Sequence, residues 1–179
     1  MKYCFALLCF IALTIPALAQ QKIYIKIDGI DGESQDLPHR NWIDAYAYSG
    51  GLTNSGTTRL VGVGYAGKSS FQDYTFTICL DKSVNRLKAA AARGYRIPSV
   101  LVEFVKNNNG DTYRYSTILM ENVLITSIIE GASTDISKIN INVSFNYAKV
   151  TCNYYFYNDK GQPVPGFIFG WDIAGNMPL

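Results

Sequence analysis

Residues 62–69, GVGYAGKS, match the spacing G-x-x-x-x-G-K-[ST] of a nucleotide phosphate-binding loop. Such a loop works because its backbone N–H groups wrap the phosphates and because the next residues begin a helix whose positive end faces them. The residues that follow here, SFQDYTFTICL, have a period of two and predict a strand. Since no helix is predicted at this point, the sequence favours a glycine-rich loop without a nucleotide.

The single histidine, His39, is the second chemical candidate, because a Ser-His-Asp or Cys-His mechanism would have to use it. It lies beside Pro38 and Arg40 in a polar loop, so we expect a surface or capping side chain rather than a general base. The sequence offers no means of pairing distant carboxylates for glycoside hydrolysis. It therefore predicts no enzyme, and an exported hydrolase that uses His39 is the least favoured function.

Four acidic residues of the same loop could attract calcium: Asp28, Asp31, Glu33 and Asp36. They lack the D-x-D-x-D-G-x5-E spacing that wraps the ion, and a solvated turn is the better interpretation. No cysteine after residue 19 has a C-x-x-C partner. The sequence predicts no metal and no cofactor.

Residues 1–19 have the pattern of a secretory signal peptide: a lysine, an apolar run, and small residues at Ala17 and Ala19. Cleavage after Ala19 would leave residues 20–179, which we expect to form one domain without membrane insertion. The formal net charge of +2 provides no strong field for nucleic acid or acidic membranes. The composition therefore excludes nucleic acid as an expected partner.

Two cysteines, Cys79 and Cys152, would remain after cleavage, and an oxidising destination would permit a disulfide between them. Their spacing does not decide whether they pair. The alternation of side chains places Cys79 on the polar face of one strand and Cys152 on the apolar face of another. This placement favours two unpaired thiols.

The chain after the leader alternates as half-buried strands do, at residues 22–27, 43–49 and 74–80. A strand at 97–106 leads through the turn NNNGD into a long apolar run at 112–130. The turn GASTD then leads into another long strand. We expect three consecutive antiparallel strands from these turns.

One helix is predicted at residues 84–93, with Ser83 as its N-cap and Gly94 after its last residue. Its side chains Val84, Leu87 and Ala91 are expected to face the sheet.

The last long strand changes the parity of its apolar residues. They are odd-numbered from Ile139 to Tyr147 and even-numbered from Ala148 to Phe156. A strand needs a bulge or a change of partner to do this, and such features let a sheet close. The predicted fold class is mainly β, an antiparallel β-barrel with one flanking α-helix.

The segment IDAYAYS should point Tyr46 and Tyr48 to one side and three small residues to the other: Ala45, Ala47 and Ser49. A strand face of small residues implies close packing by another layer or a smooth surface that lines a space.

The ordered set of motifs from residue 22 to residue 174 resembles the haemolysin-coregulated protein (Hcp) family, the tube proteins of type VI secretion systems. The matching pieces are IYIKIDGIDGES with Asp36 and His39 after it, IDAYAYSGG with TNSG, GVGYAGK before QDYTFTICLDKSVNRL, ENVLITSI, VSFNYAKV and GWDI.

The resemblance implies a barrel of the Hcp type with a flanking helix and a long extended loop, and it implies no catalysis. It also implies six copies in a ring around a channel, stacked rings, and partnership with effector proteins and other type VI secretion components. The loop would contact a neighbouring ring, with the candidate residues Asn54, Thr57, Arg59, Leu60, Gly62, Gly64 and Gly67. The strand of Ser49 would line the channel and bind cargo, with the candidates Ala45, Ala47 and Ser49.

The leader departs from the family pattern, because the tube assembles in the cytoplasm and family members normally lack a signal peptide. The leader predicts a secreted or periplasmic protein of a Gram-negative bacterium, whereas an unused leader would allow cytoplasmic assembly. The alternative function is an exported β-barrel binding protein that does not assemble into a tube.

Overall fold

The computed structural model describes residues 20–56, 69–108, 111–132 and 139–179, and the statements below refer to these residues. The elements are β1 (Gln20–Ile27), a 3-10 turn (Leu37–His39), β2 (Ile43–Ser49), β3 (Leu52–Asn54), β4 (Ser69–Phe71), β5 (Tyr74–Cys79), α1 (Val84–Arg93), β6 (Ile97–Asn108), β7 (Asp111–Gly131), β8 (Asn140–Tyr157), β9 (Pro163–Pro165), β10 (Phe169–Asp172) and β11 (Met177–Pro178). No helix in this part of the chain is long and apolar enough to cross a membrane.

Six strands close into an antiparallel barrel in the order β8–β5–β2–β1–β6–β7, and β7 pairs with β8 to complete the ring. The predicted run of three consecutive antiparallel strands is confirmed by β6, β7 and β8. Closure removes the free edges that an open sheet would expose. The expected mainly β barrel with one helix is therefore confirmed.

The barrel core is formed by the apolar residues of each alternating strand. Its largest fully buried side chains include Phe76, Phe145, Ile25, Ile43, Ile78 and Ile141. The side chain of Leu87 from α1 reaches the same interior beside Ile25 and Val143. The helix therefore covers the barrel end at which β1 finishes and β6 begins.

The helix matches its predicted bounds, and Gly94 adopts the left-handed conformation (φ 60°) that ends many helices. Val84 and Leu87 are buried as expected, but Ala90 is the third buried position and Ala91 only packs at the edge of the core. The predicted side-chain cap is wrong. Ser83 already has helical dihedrals (φ −71°, ψ −31°), and its hydroxyl donates to the Asp81 carboxylate instead of accepting a helix N–H.

The parity change in β8 coincides with a change of partner, which was one of the two predicted explanations. Residues 140–145 of β8 pair with β5, whereas residues 149–152 pair with β10. The bulge lies in β7, between Ile125 and Ser127, and not in β8. A single long strand thus closes the barrel and also holds the C-terminal strands.

Candidate functional site

Four neighbouring strands of the barrel turn a continuous uncharged surface outward. Directly paired residues of antiparallel strands point to the same side of a sheet, so the register defines rows across the strands. The first row is Ser49, Thr75, Ser144 and Ser127; the second is Ala47, Thr77, Asn142 and Ile129; the third is Cys79, Asn140 and Gly131. We call these residues the uncharged face.

The uncharged face is the outer side of strands whose other side is core. Thr75 and Thr77 alternate with the buried Phe76, and Asn142 and Ser144 alternate with the buried Val143. This alternation fixes both surfaces at once, because a slip of one residue would exchange them. The face is therefore as rigidly specified as the core beneath it.

Side-chain hydrogen bonds link the rows across β5 and β8. The hydroxyl oxygens of Thr75 and Ser144 lie 2.8 Å apart, and the Thr77 hydroxyl donates to Asn142 Oδ1 at 2.7 Å. One large apolar side chain, Ile129, is 61% exposed in the second row. Hydroxyls and amides of this kind can make weak, exchangeable hydrogen bonds but supply no acid, base or metal ligand set.

The predicted common face of Ala45, Ala47 and Ser49 is wrong for Ala45. Ala45 pairs with Ile78 and Ala47 pairs with Thr77, so Tyr46 is an extra residue in β2. This bulge inverts the alternation. Ala45 is only 7% exposed and belongs to the core, whereas Ala47 and Ser49 are exposed on the uncharged face.

The tyrosines of β2 confirm the inversion. Tyr48 pairs with Phe76 on the core side of the sheet, where its ring centroid lies 4.7 Å from that of Phe104 and 6.2 Å from that of Phe76, and 48% of its surface stays exposed. Tyr46 stays on the outer side of the sheet. A hydrogen bond to Cys79 is the main cause that raises its pKa to about 12, and partial burial acts in the same direction. The two tyrosines therefore do not share a face, contrary to the expectation.

The predicted extended loop begins and ends in a short hairpin, in which β3 pairs with β4. Asn54 is the last residue of β3, and its side chain accepts a hydrogen bond from the Gly56 N–H at 2.7 Å. The other loop candidates lie outside the described residues: Thr57, Arg59, Leu60, Gly62, Gly64 and Gly67. Ser69, the last residue of the phosphate-loop match, begins a strand and not a helix, which supports the rejection of that motif.

The base of this hairpin packs against β10 through aromatic side chains. The Phe71 ring centroid lies 6.4 Å from those of Phe169 and Trp171, and the two last-named rings are parallel within 3°. The Gln72 N–H donates to Gly51 O at 2.9 Å and closes the base. The base of the β3–β4 hairpin is thus packed against β10.

His39 was expected to be a surface or capping side chain, but it is buried, with only 4% of its surface exposed. Its Nδ1 lies 2.6 Å from an Asp36 carboxylate oxygen and its Nε2 lies 2.9 Å from a Glu103 oxygen. The ring stacks on Tyr24 at 4.0 Å, and Arg114 donates to the other Glu103 oxygen at 2.9 Å. Both ring nitrogens are occupied, so the geometry gives His39 a structural role.

This network shifts two pKa values in opposite directions. Burial alone would lower the pKa of His39, but the hydrogen bonds to Glu103 and Asp36 outweigh it and raise the pKa. Burial would likewise raise the pKa of Glu103, but the hydrogen bonds from His39 and Arg114 lower it. Imidazolium and carboxylate therefore stabilise each other.

We expect the free energy of unfolding to reach a plateau between about pH 4.5 and 6.5, the ordinary pKa values of the two groups. The contribution of His39 is complete below the lower, unfolded-state pKa and is lost as pH rises through the raised folded-state value. The contribution of Glu103 is complete above its unfolded-state pKa and is lost as pH falls through the lowered folded-state value. Urea unfolding at pH values below, within and above this range measures the profile. An unchanged alkaline limb in His39→Gln would contradict the assignment.

The acidic residues and cysteines that were considered as metal or disulfide candidates do not form a common site in the described residues. Within the described ranges, no group of three or more His, Cys, Asp or Glu side chains is placed to hold a metal ion. Cys79 and Cys152 are both free thiols, as the alternation favoured. The Cys152 sulfur lies 4.0 Å from the Tyr74 hydroxyl, and burial raises its pKa.

Comparisons with known proteins give a consistent result. A family model described as "Type VI secretion system effector, Hcp" matches residues 24–154. Protein hcp1 of Pseudomonas aeruginosa is 33% identical over 156 residues, which cover 87% of this chain and 96% of that protein.

Solved structures share the fold. A structure described as that of a type six secretion system protein has a TM-score of 0.82 at 25% identity and covers 89% of this chain and all of its own. Hcp1 from Salmonella typhimurium has a TM-score of 0.71 at 23% identity, with 89% of this chain and 99% of that chain covered.

Proposed function

Because the chain belongs to the Hcp family of type VI secretion tube proteins, we propose that six copies close into a ring with the uncharged face turned to the channel. In this proposal the rings stack, and the channel carries effector proteins. The observation that carries it is the uncharged face itself, in which four strands turn hydroxyl, amide and small side chains and the aliphatic Ile129 outward, with no Asp, Glu, Lys, Arg or His among them.

A channel wall of this composition suits a surface that cargo must contact and later leave. Charged wall groups would have to be desolvated and paired by each cargo, which costs free energy when the pairing is imperfect. Neutral hydroxyls and amides can exchange partners with water at little net cost. Ala47 and Ser49 remain channel candidates, joined by Thr75, Thr77, Asn142 and Ser144.

Stacking is assigned to the extended loop that begins and ends in the β3–β4 hairpin. The hairpin residues Leu52 to Asn54 are all exposed and leave the barrel from a base fixed by Phe71. An exposed hairpin with an ordered base can contact a neighbouring ring without a large loss of conformational entropy. Asn54 is the described candidate for this contact.

The leader sets where assembly takes place. Family members are secreted type VI proteins, and a leader at residues 1–19 would direct this chain to the periplasm by a separate route. N-terminal sequencing of the protein from its native cell distinguishes the routes. A chain that begins at Gln20 would contradict assembly in a cytoplasmic tube, whereas an unprocessed chain would support it.

The ring and its orientation are tested by electron microscopy with a labelled side chain. With Cys79→Ser and Cys152→Ala as background, Thr77→Cys is coupled to a maleimide gold cluster. We expect hexagonal rings of residues 20–179 with gold density over the central channel. The matched control, Lys160→Cys, carries the label on an exposed turn remote from the uncharged face, and we expect its gold at the rim.

Two results would contradict the proposal. Uniform monomers at high protein concentration would exclude the ring and would favour an exported binding protein that does not assemble. Rings with Thr77 gold at the rim would retain the assembly but exclude the uncharged face from the channel.

A further inference from the structure

A protruding apolar bulge marks the C-terminal part of the chain. Phe167 is 88% exposed, and Ile168 beside it is also exposed. Such exposure of adjacent large apolar side chains is unusual on a surface that meets only water. We call these two residues the apolar knob.

The apolar knob is held on both sides by β8. Pro165 pairs with Tyr155 and Phe169 pairs with Cys152, so three residues of the C-terminal segment face two residues of β8. The Gly166 N–H donates to Tyr154 O at 2.8 Å. The knob is therefore a bulge with ordered flanks, and little conformational entropy would be lost if it were bound.

A groove of complementary character lies beside α1. It has a volume of about 350 Å³ and is lined by Ile30, Ala89, Ala90 and Tyr95, together with the charged residues Arg86, Arg93 and Asp28. No ion pair within the described ranges involves either arginine. The groove thus offers an apolar floor for a phenyl ring and guanidinium groups for its electron-rich face.

The knob and the groove lie at opposite ends of the barrel. The groove adjoins Ile30, next to the end of β1 that pairs with Val100. Lys88 of α1 pairs with Glu130, which lies opposite Ile141 near the start of β8, whereas the knob lies beside Tyr154 near the other end of the same strand. One molecule cannot join the two, whereas a neighbouring copy can.

We propose that the apolar knob of one copy binds in the α1 groove of the next copy. A contact between two different surfaces of identical chains is head-to-tail, and such contacts generate rings when the rotation closes. The inference rests on the proposed assembly and names one contact within it. The apolar character of both surfaces and the attraction between guanidinium and aromatic groups support a second copy as the occupant, because the two surfaces cannot meet within one molecule.

The contact is tested by alanine substitution and by crosslinking of residues 20–179. Phe167→Ala is expected to raise the dissociation constant for assembly about 30-fold, as the loss of a central aromatic anchor does. Ala89→Trp, which fills the groove from a helix position, is expected to act in the same direction. The matched control is Leu37→Ala, because Leu37 is 85% exposed in the 3-10 turn and belongs neither to the knob nor to the lining of the groove. Sedimentation velocity across a concentration series measures all four proteins.

Crosslinking then identifies the two surfaces. In the Cys79→Ser, Cys152→Ala background, oxidation of Phe167→Cys with Ala89→Cys should give covalent multimers, whereas Leu37→Cys with Ala89→Cys should give none. Wild-type rings that are unaffected by both Phe167→Ala and Ala89→Trp would overturn this inference and leave the proposed function intact. Rings weakened by Phe167→Ala alone, without crosslinks, would exclude the groove as the receptor. A wild-type chain that never assembles would overturn both.

Discussion

Replacement of Phe76 by alanine is expected to lower the free energy of unfolding by about 3–5 kcal/mol, the usual loss when a buried phenyl ring is removed from a core. Phe76 has no exposed surface. Its ring centroid lies 5.9 Å from that of Phe145 and 6.4 Å from that of Tyr74. The cavity would lie directly beneath Thr75 and Thr77, so the uncharged face should lose its order as well. Urea unfolding measures the loss.

The matched control for this substitution is Phe156→Ala. Phe156 also belongs to a barrel strand, but its side chain is exposed beyond the barrel end. We expect a change within about 0.5 kcal/mol, since exposed positions tolerate truncation. Equal losses in the two variants would show that the Phe76 ring does not support the barrel interior.

Replacement of Gly32 by alanine is expected to cost about 3 kcal/mol, at the upper end of ordinary overpacking. A Cβ at this position would lie 2.7 Å from Ile43 Cα and closer still to Trp42 O. These are backbone atoms, which cannot rotate away as the end of a flexible side chain can. The Gly32 N–H also donates to Asn41 O at 2.8 Å, so the clash would separate two hydrogen-bonded segments.

Separation of these segments should weaken the hydrogen bonds of His39 to Asp36 and Glu103, because His39 belongs to the same loop. The expected signature is a loss of the slowly exchanging imidazole N–H signal of His39 in the proton NMR spectrum, together with the lower stability in urea. Gly131→Ala is the control, because a Cβ there would meet no atom within 4 Å. Retention of the imidazole signal in Gly32→Ala would contradict the proposed dependence of the His39 network on this close approach.

The sequence could not reveal the uncharged face as a unit. Thr75, Thr77 and Cys79 are evident as the polar side of β5, but their neighbours in other strands depend on register. The bulge at Tyr46 sends Ala45 into the core and leaves Ala47 outside. A bulge adds one residue to a strand and is decided by pairing with β5, so the alternation of β2 alone could not locate it.

The burial of His39 was missed for a related reason. Its partner Glu103 lies 64 residues away in β6, and its position beside Pro38 and Arg40 in a polar loop suggested a surface side chain. A lone acid inside the apolar strand VLVEFV was the available signal, because a buried carboxylate requires a partner. The motif set that resembled the Hcp family included His39 but did not assign it a contact.

The ordered motifs of the sequence resembled those of the Hcp family. The amino-acid sequence by itself determined the six barrel strands, the helix at 84–93 and the antiparallel barrel. These follow from local causes: side chains alternate with the period of a pleated backbone, glycine ends a helix, and turn residues join neighbouring strands. Only the tertiary structure decided which polar rows form one surface, where Ala45 points, what surrounds His39, and that Phe167 and the α1 groove lie at opposite ends. Each of these depends on register and on contacts between residues far apart in the chain, and a local pattern cannot specify them.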